Sequence, residues 1–267
     1  MTDLVPNPNA SGLPADAIGT RPASAEPGEP RTASAGSGGA WWKEGWHLFA
    51  RSPFVWIAVT LLYVLIMIAL SAIPLVNMIA PSILGPVFAG GVLSGFREVD
   101  RGAEAKISYL FASFNERLVP LAVLGLLYLV ATFVIVLIAG AVLLFGIGVE
   151  GLKALLSGDP VQSASAMLGA IGYTMLLAIL VGLLLGIPVA MAFWFAPALV
   201  ALEGSDPIAA IKRSFEGCLR NILSMLVYGL YGIVLAILAT IPFGLGWIVL
   251  APVFAGSVYA SYKEIFN

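Results

Sequence analysis

Charged positions along this chain fall in short clusters separated by long runs that contain none. Uncharged stretches of 45, 32, 43 and 42 residues separate Arg51 from Arg97, Arg117 from Glu150, Asp159 from Glu203 and Arg220 from Lys263. A single membrane crossing needs about 20 apolar residues, and the strands of a membrane barrel are about 10 residues of alternating polarity. The runs therefore predict an all-α polytopic bundle with six spans, at about 53–73, 76–96, 118–145, 167–202, 221–241 and 244–263. The first and last pairs are tight hairpins, turning at Ile73-Pro74 and from Ile241-Pro242 through Gly246. The 167–202 run is long enough to split at Gly186-Ile187-Pro188. One long helix kinked near Pro188 suits the charge distribution better.

Three amphipathic segments lead into these hairpins. In WWKEGWHLFARSP, Trp42, Trp46 and Phe49 share a helical face opposite Lys43, His47 and Arg51, which predicts a helix lying on the membrane surface. AKISYLFASFNERL carries the stripe Ile107, Leu110, Phe111, Phe114 and Leu118. In the third, Asp206 reads as an N-cap with Pro207 in the first turn. Ile208, Ile211, Phe215 and Leu219 then form its apolar face. Residues 1–40 are rich in Pro, Ala, Ser and Gly, which predicts a disordered cytoplasmic tail ahead of a membrane domain at 41–267. That tail has no apolar core segment, so the first span is expected to act as the insertion signal.

Composition agrees: 60% of the 267 residues are hydrophobic and 10% charged, against about 25% charged in soluble domains. With the N-terminus inside, 12 of the 13 Lys and Arg residues are cytoplasmic and Lys153 lies outside. Both termini are then cytoplasmic. The chain also repeats itself. PVFAGGVLSGFRE at 86–98 matches PVFAGSVYASYKE at 252–264 at seven of thirteen positions, and Ala196-Pro197-Ala198-Leu199 is a weaker third copy. Duplicated in–out–in hairpins are related as parallel repeats about the membrane normal.

Candidate chemistry is sparse. Apart from Lys263 at the very end of the last, the six predicted spans contain no Asp, Glu, Lys, Arg or His, which argues against an ion-coupled transporter. Lone His47 and lone Cys218 provide neither a metal cluster nor an intrachain disulfide. The acids Glu98, Asp100, Glu104, Glu203, Asp206 and Glu216 each have a base nearby in sequence, so ion pairing is expected rather than catalysis. Neither an enzyme nor a cofactor site is expected, and the absence of a dense basic patch argues against nucleic acid. Arg51, Arg97, Arg101, Arg117, Lys212, Arg213 and Arg220 are the candidate contacts to anionic lipid headgroups. Asn77, Tyr228 and Tyr231 are candidate cavity-lining residues, and Tyr63 and Tyr173 are further polar groups within spans. For all of these, packing and interhelical hydrogen bonding is the simpler reading.

GWHLFARSPFVW, GPVFAGG, DRG and LFASFNERLVPL resemble an uncharacterised family of proteobacterial six-span membrane proteins over residues 41 to 267. FAPALVALEGSDPIAAIKRSFEGCLRNI is similar, more distantly, to a segment of the membrane domain found with glycerophosphoryl diester phosphodiesterases, with Pro197, Glu203, Pro207 and Ser214 in the matching places. The resemblance implies the fold and a bacterial inner-membrane location. It carries no activity, because nothing here corresponds to the soluble catalytic domain. The expected role is a non-enzymatic structural or interaction component of the envelope, working through membrane lipids, a second copy or another membrane protein. The alternative is a permease or carrier for a neutral or amphiphilic solute or lipid.

Overall fold

The computed structural model describes residues 29–157 and 160–267. The expectations for residues 1–28 and for a helix start at Asp159 lie outside the described residues. Among those described there are eight helices of a full turn-pair or more and no strand. They are α1 (Ser37–Ala50), α2 (Pro53–Ser71), α3 (Pro74–Asp100), α4 (Leu118–Ser157), α5 (Pro160–Trp194), α6 (Pro207–Arg220), α7 (Ile222–Thr240) and α8 (Trp247–Phe266). Five of them, α2, α3, α4, α5 and α7, are long and apolar enough to cross a membrane. α8 has 20 residues but ends in Tyr262, Lys263 and Glu264, and it is the most enclosed of the long helices. The outer faces of α2, α4, α5 and α7 are rows of exposed Leu, Ile, Val and Phe. Water could not solvate so large an apolar surface, whereas lipid tails could.

Each hairpin is preceded by a short leading element, giving three units. α1 leads α2 and α3, a 3₁₀ turn at Ile107–Phe111 leads α4 and α5, and α6 leads α7 and α8. The first and third units match in length, with leading helices of 14 residues and first hairpin helices of 19. Their packing is cyclic. α1 lies against α7 and α8, the 107–111 turn against α2 and α3, and α6 against α4 and α5. Each leading element is thus seated on the hairpin of another unit, which ties the three into one body. The middle hairpin is the longest, with helices of 40 and 35 residues, or about 60 and 50 Å against a hydrocarbon core of about 30 Å.

Several expectations need correcting. α1 turns its predicted apolar row onto protein rather than outward. Trp41, Trp42, Leu48 and Phe49 are buried against protein, and only Trp46 of the predicted row is exposed. The reason is Gly45: a Cβ there would sit 2.5 Å from the Val253 carbonyl, so its absence lets α1 press directly onto α8. The tail boundary also falls earlier than Trp41, because residues 29–36 are strapped to the bundle. Asn221 accepts from the Ala33 N–H and donates to the Arg31 carbonyl, and the Arg31 N–H reaches the Ile265 carbonyl at 2.8 Å.

The 107–118 stripe forms one 3₁₀ turn followed by irregular chain rather than a helix. Asn115 turns its side chain back to the Arg117 N–H, a local bond that competes with helix propagation. α6 does begin at Asp206, whose carboxylate accepts from the Ile208 and Ala209 N–H groups. Its protein-facing side is small (Ala210, Ser214, Gly217 and Cys218), and Ile208 and Leu219 of the predicted apolar face point outward, as a membrane-facing side would. Finally, α5 runs as one helix through Pro188, as expected, but ends at Trp194, where Phe195 interrupts it, short of the predicted 202.

Candidate functional site

The break after α5 is built from specific bonds. Pro197 has no N–H, so the Phe193 carbonyl loses its helical partner. Ser214, fully buried on α6, bridges the gap: its Oγ accepts from the Phe195 N–H at 2.9 Å and donates to the Met191 carbonyl at 2.8 Å. Leu199–Glu203 then forms a wide π-type turn that ends at Gly204 with φ +75°. That turn presents Glu203, which accepts from the Tyr262 hydroxyl and pairs with Arg213.

The chain's polar end is a set of such latches. Asp100 accepts from Lys263 at 2.6 Å and from Tyr259 at 2.9 Å. Glu264 accepts from Ser37 and from the Trp41 indole, both at 2.7 Å. The predicted headgroup contacts are largely used here as well. Arg51 caps the Val99 carbonyl, Arg97 the Leu202 carbonyl, Arg101 pairs with Glu98 and Arg220 with Glu29. Arg213 also lies over the Phe266 ring, Arg117 sits beside Gly204 and Lys212 is exposed. The acids are thus dispersed over separate pairs, and no group of three or more metal-ligating side chains occurs among the described residues. Cys218 is buried, and burial pushes its thiol up to about 12, so it stays protonated and unreactive at neutral pH.

Where the three units meet, they leave a partly open cleft of about 670 Å³. α2 contributes Trp56, Val59, Thr60 and Tyr63, one face of the helix at i, i+3, i+4 and i+7. The second helix of each unit contributes a proline: Pro86 from α3, Pro197 from the break after α5 and Pro252 from α8. Pro81, Gly85, Phe88, Phe193, Trp194 and Phe254 complete much of the wall. No charged side chain among the described residues lines it. The volume falls within the roughly 300–1,000 Å³ typical of small-molecule pockets.

Two wall residues carry an unmet demand. The indole N–H groups of Trp56 and Trp194 are buried without an acceptor. An unpaired buried donor costs about 1–3 kcal/mol. Trp56 is otherwise held firmly, stacked on Phe96 at 3.9 Å.

The predicted cavity-lining residues do not line this cleft. Asn77 and Tyr231 are exposed, and Tyr228 is buried with its hydroxyl 2.7 Å from Ser257 and its ring stacked on Trp42. Of the polar residues picked out in the sequence, Tyr63 alone reaches the cleft. Trp56, Thr60 and Trp194 were missed, although the 56–60–63 spacing marks a polar stripe on α2 and the three prolines mark the walls.

Comparison with known proteins agrees with this architecture. Residues 41–263 match the model of a family described as a domain of unknown function (DUF7847). The chain belongs to that family. It is also 30% identical over 215 residues to a probable inner membrane protein of Burkholderia thailandensis, covering 76% of this chain and 75% of that protein. No solved structure matches. The family membership and this relative make the chain a probable inner membrane protein with transmembrane helices and an uncharacterised domain.

Proposed function

We propose that this is a six-span inner-membrane protein, with both termini cytoplasmic, that takes a neutral amphiphile from the bilayer into its central cleft and does no chemistry on it. The observation that carries the reading is the cleft itself, a pocket-sized space with apolar walls and no charged side chain. A molecule that leaves the lipid phase for such walls needs a largely apolar body.

Six crossings are supported by parity. The Arg31 N–H bonds the Ile265 carbonyl, and Ser37 and Trp41 bond Glu264. The first and last described segments therefore share one end of the bundle, which requires an even number of crossings. α8 supplies the sixth beside the five apolar helices, and its central position means it needs less lipid-compatible surface than they do. The excess of Lys and Arg at the latched end supports placing that end in the cytoplasm. A second reading, a purely structural component, is favoured by the density of latches at that end.

Filling the cleft separates the two. A Cβ at Gly85 would meet nothing within 4 Å, so Gly85→Leu can plug the space from α3 without pushing on a neighbour. Native mass spectrometry of the detergent-purified full chain should find lipid retained by wild type and largely lost in Gly85→Leu, with an unchanged thermal midpoint. Equal retention by both, or none by wild type, would leave the structural reading in possession.

A further inference from the structure

The two unpaired indoles define what the ligand must bring. Trp56 is the fourth residue of α2 and Trp194 the last of α5, so both stand at the same, latched end of the cleft. Along α2 the Trp56 indole is followed in the wall by Thr60 and then Tyr63, whose ring packs edge-on against Phe88. The Thr60 hydroxyl is already spent on the Trp56 carbonyl at 3.0 Å. Two unpaired indole donors thus lie buried in the wall at one end of the cleft, the hydroxyl-bearing Tyr63, Ser82 and Tyr128 also line it, and no charged side chain among the described residues does.

Resting on the lipid-binding reading above, we propose that Trp56 and Trp194 are the recognition residues of this site. The ligand they fit is an ester-linked diacyl lipid, held with its headgroup toward the cytoplasm. Tryptophan within the first turn or two of a span lies at the depth of the glycerol esters. An ester carbonyl is a neutral acceptor that an indole N–H can satisfy, and an acyl chain fills the proline-walled space below it. A plain hydrocarbon would leave both donors unpaired. An anionic group drawn deep into the cleft would meet no cation, because no basic side chain lines it.

The test compares dioleoyl phosphatidylethanolamine, which carries no net charge, with its diether analogue, which has the same headgroup and chains without the two carbonyls. Both are titrated into the delipidated full chain and read by native mass spectrometry. The ester lipid should bind about five-fold more tightly than the ether lipid, the worth of about one hydrogen bond. Trp56→Phe and Trp194→Phe, which keep an aromatic ring in place, should each remove most of that preference while leaving ether-lipid binding unchanged. Equal affinity for both lipids in wild type would overturn the proposed recognition while leaving the cleft a lipid site. Failure of either lipid to bind would overturn both. The wild-type comparison needs no variant, so a substitution that fails to fold does not protect the proposal.

Discussion

Ser214 shows how much of this fold depends on single polar atoms placed where a helix fails. It donates to one strand of the α5 break and accepts from the other, in a site closed to solvent and lipid. Ser214→Ala would leave the Phe195 N–H without a partner and the Met191 carbonyl with only the weak Cys218 thiol contact at 3.5 Å. It should lower stability by about 1–3 kcal/mol, seen as a reduced thermal midpoint of the detergent-purified chain. An unchanged midpoint would show that the break is held by packing alone. In the sequence, Ser214 was legible only through its place in a resembling segment. A lone serine on an amphipathic helix carries no mark of the break nineteen residues earlier that it repairs. The indoles of Trp56 and Trp194 were hidden for a related reason, since a tryptophan near a span end is ordinarily read as an interfacial anchor.

Among the elements, the spans were the most legible and the faces the least. A charge within the bilayer core is expensive enough that charge-free runs mark crossings directly, and the bounds of α2 and α7 fall within about two residues of those expected. Which side of a helix meets protein was misread for α1, because its Trp and Phe row was assigned to the membrane surface and packs on protein instead, whereas in α6 Ile208 and Leu219 do point outward. In lipid the logic inverts: small residues let backbones approach, and bulky ones can face the tails. α1 tests this. Gly45→Leu would drive a side chain into the α8 backbone at Val253 and Ser257. Trypsin should then cut after Lys43 or Arg51 many-fold faster than in wild type, whereas Glu44→Ala, at an exposed position of the same helix, should leave the rate unchanged. Equal rates in all three would mean that α1 is not held by close approach.

For the whole molecule, the repeat noticed in the sequence acquires a physical meaning. Pro86, Pro197 and Pro252 occupy the second helix of their hairpins, or the break that follows it, and all three face one cleft. Each leading element closes the ring by seating on the hairpin of another unit. The proline positions were visible beforehand, but they read as static kinks, because nothing in one dimension says that three kinks converge. The cyclic seating was likewise out of reach, since it depends on contacts between different units, with α1 seated on α7 and α8 from the far end of the chain.

The orientation of the cleft and of its lipid follows from six crossings with both termini inside. The direct test is single-cysteine accessibility in a Cys218→Ser background, using an impermeant thiol reagent on intact cells. Cysteines placed at Asn77 and Gly244, in the turns opposite the latched end, should be labelled. Those placed at Gly36 and Ser205 should be labelled only after the membrane is opened. Labelling at Ser205 in intact cells would contradict the account, because the latches, the strap and the mouth of the cleft would then face the wrong side of the membrane.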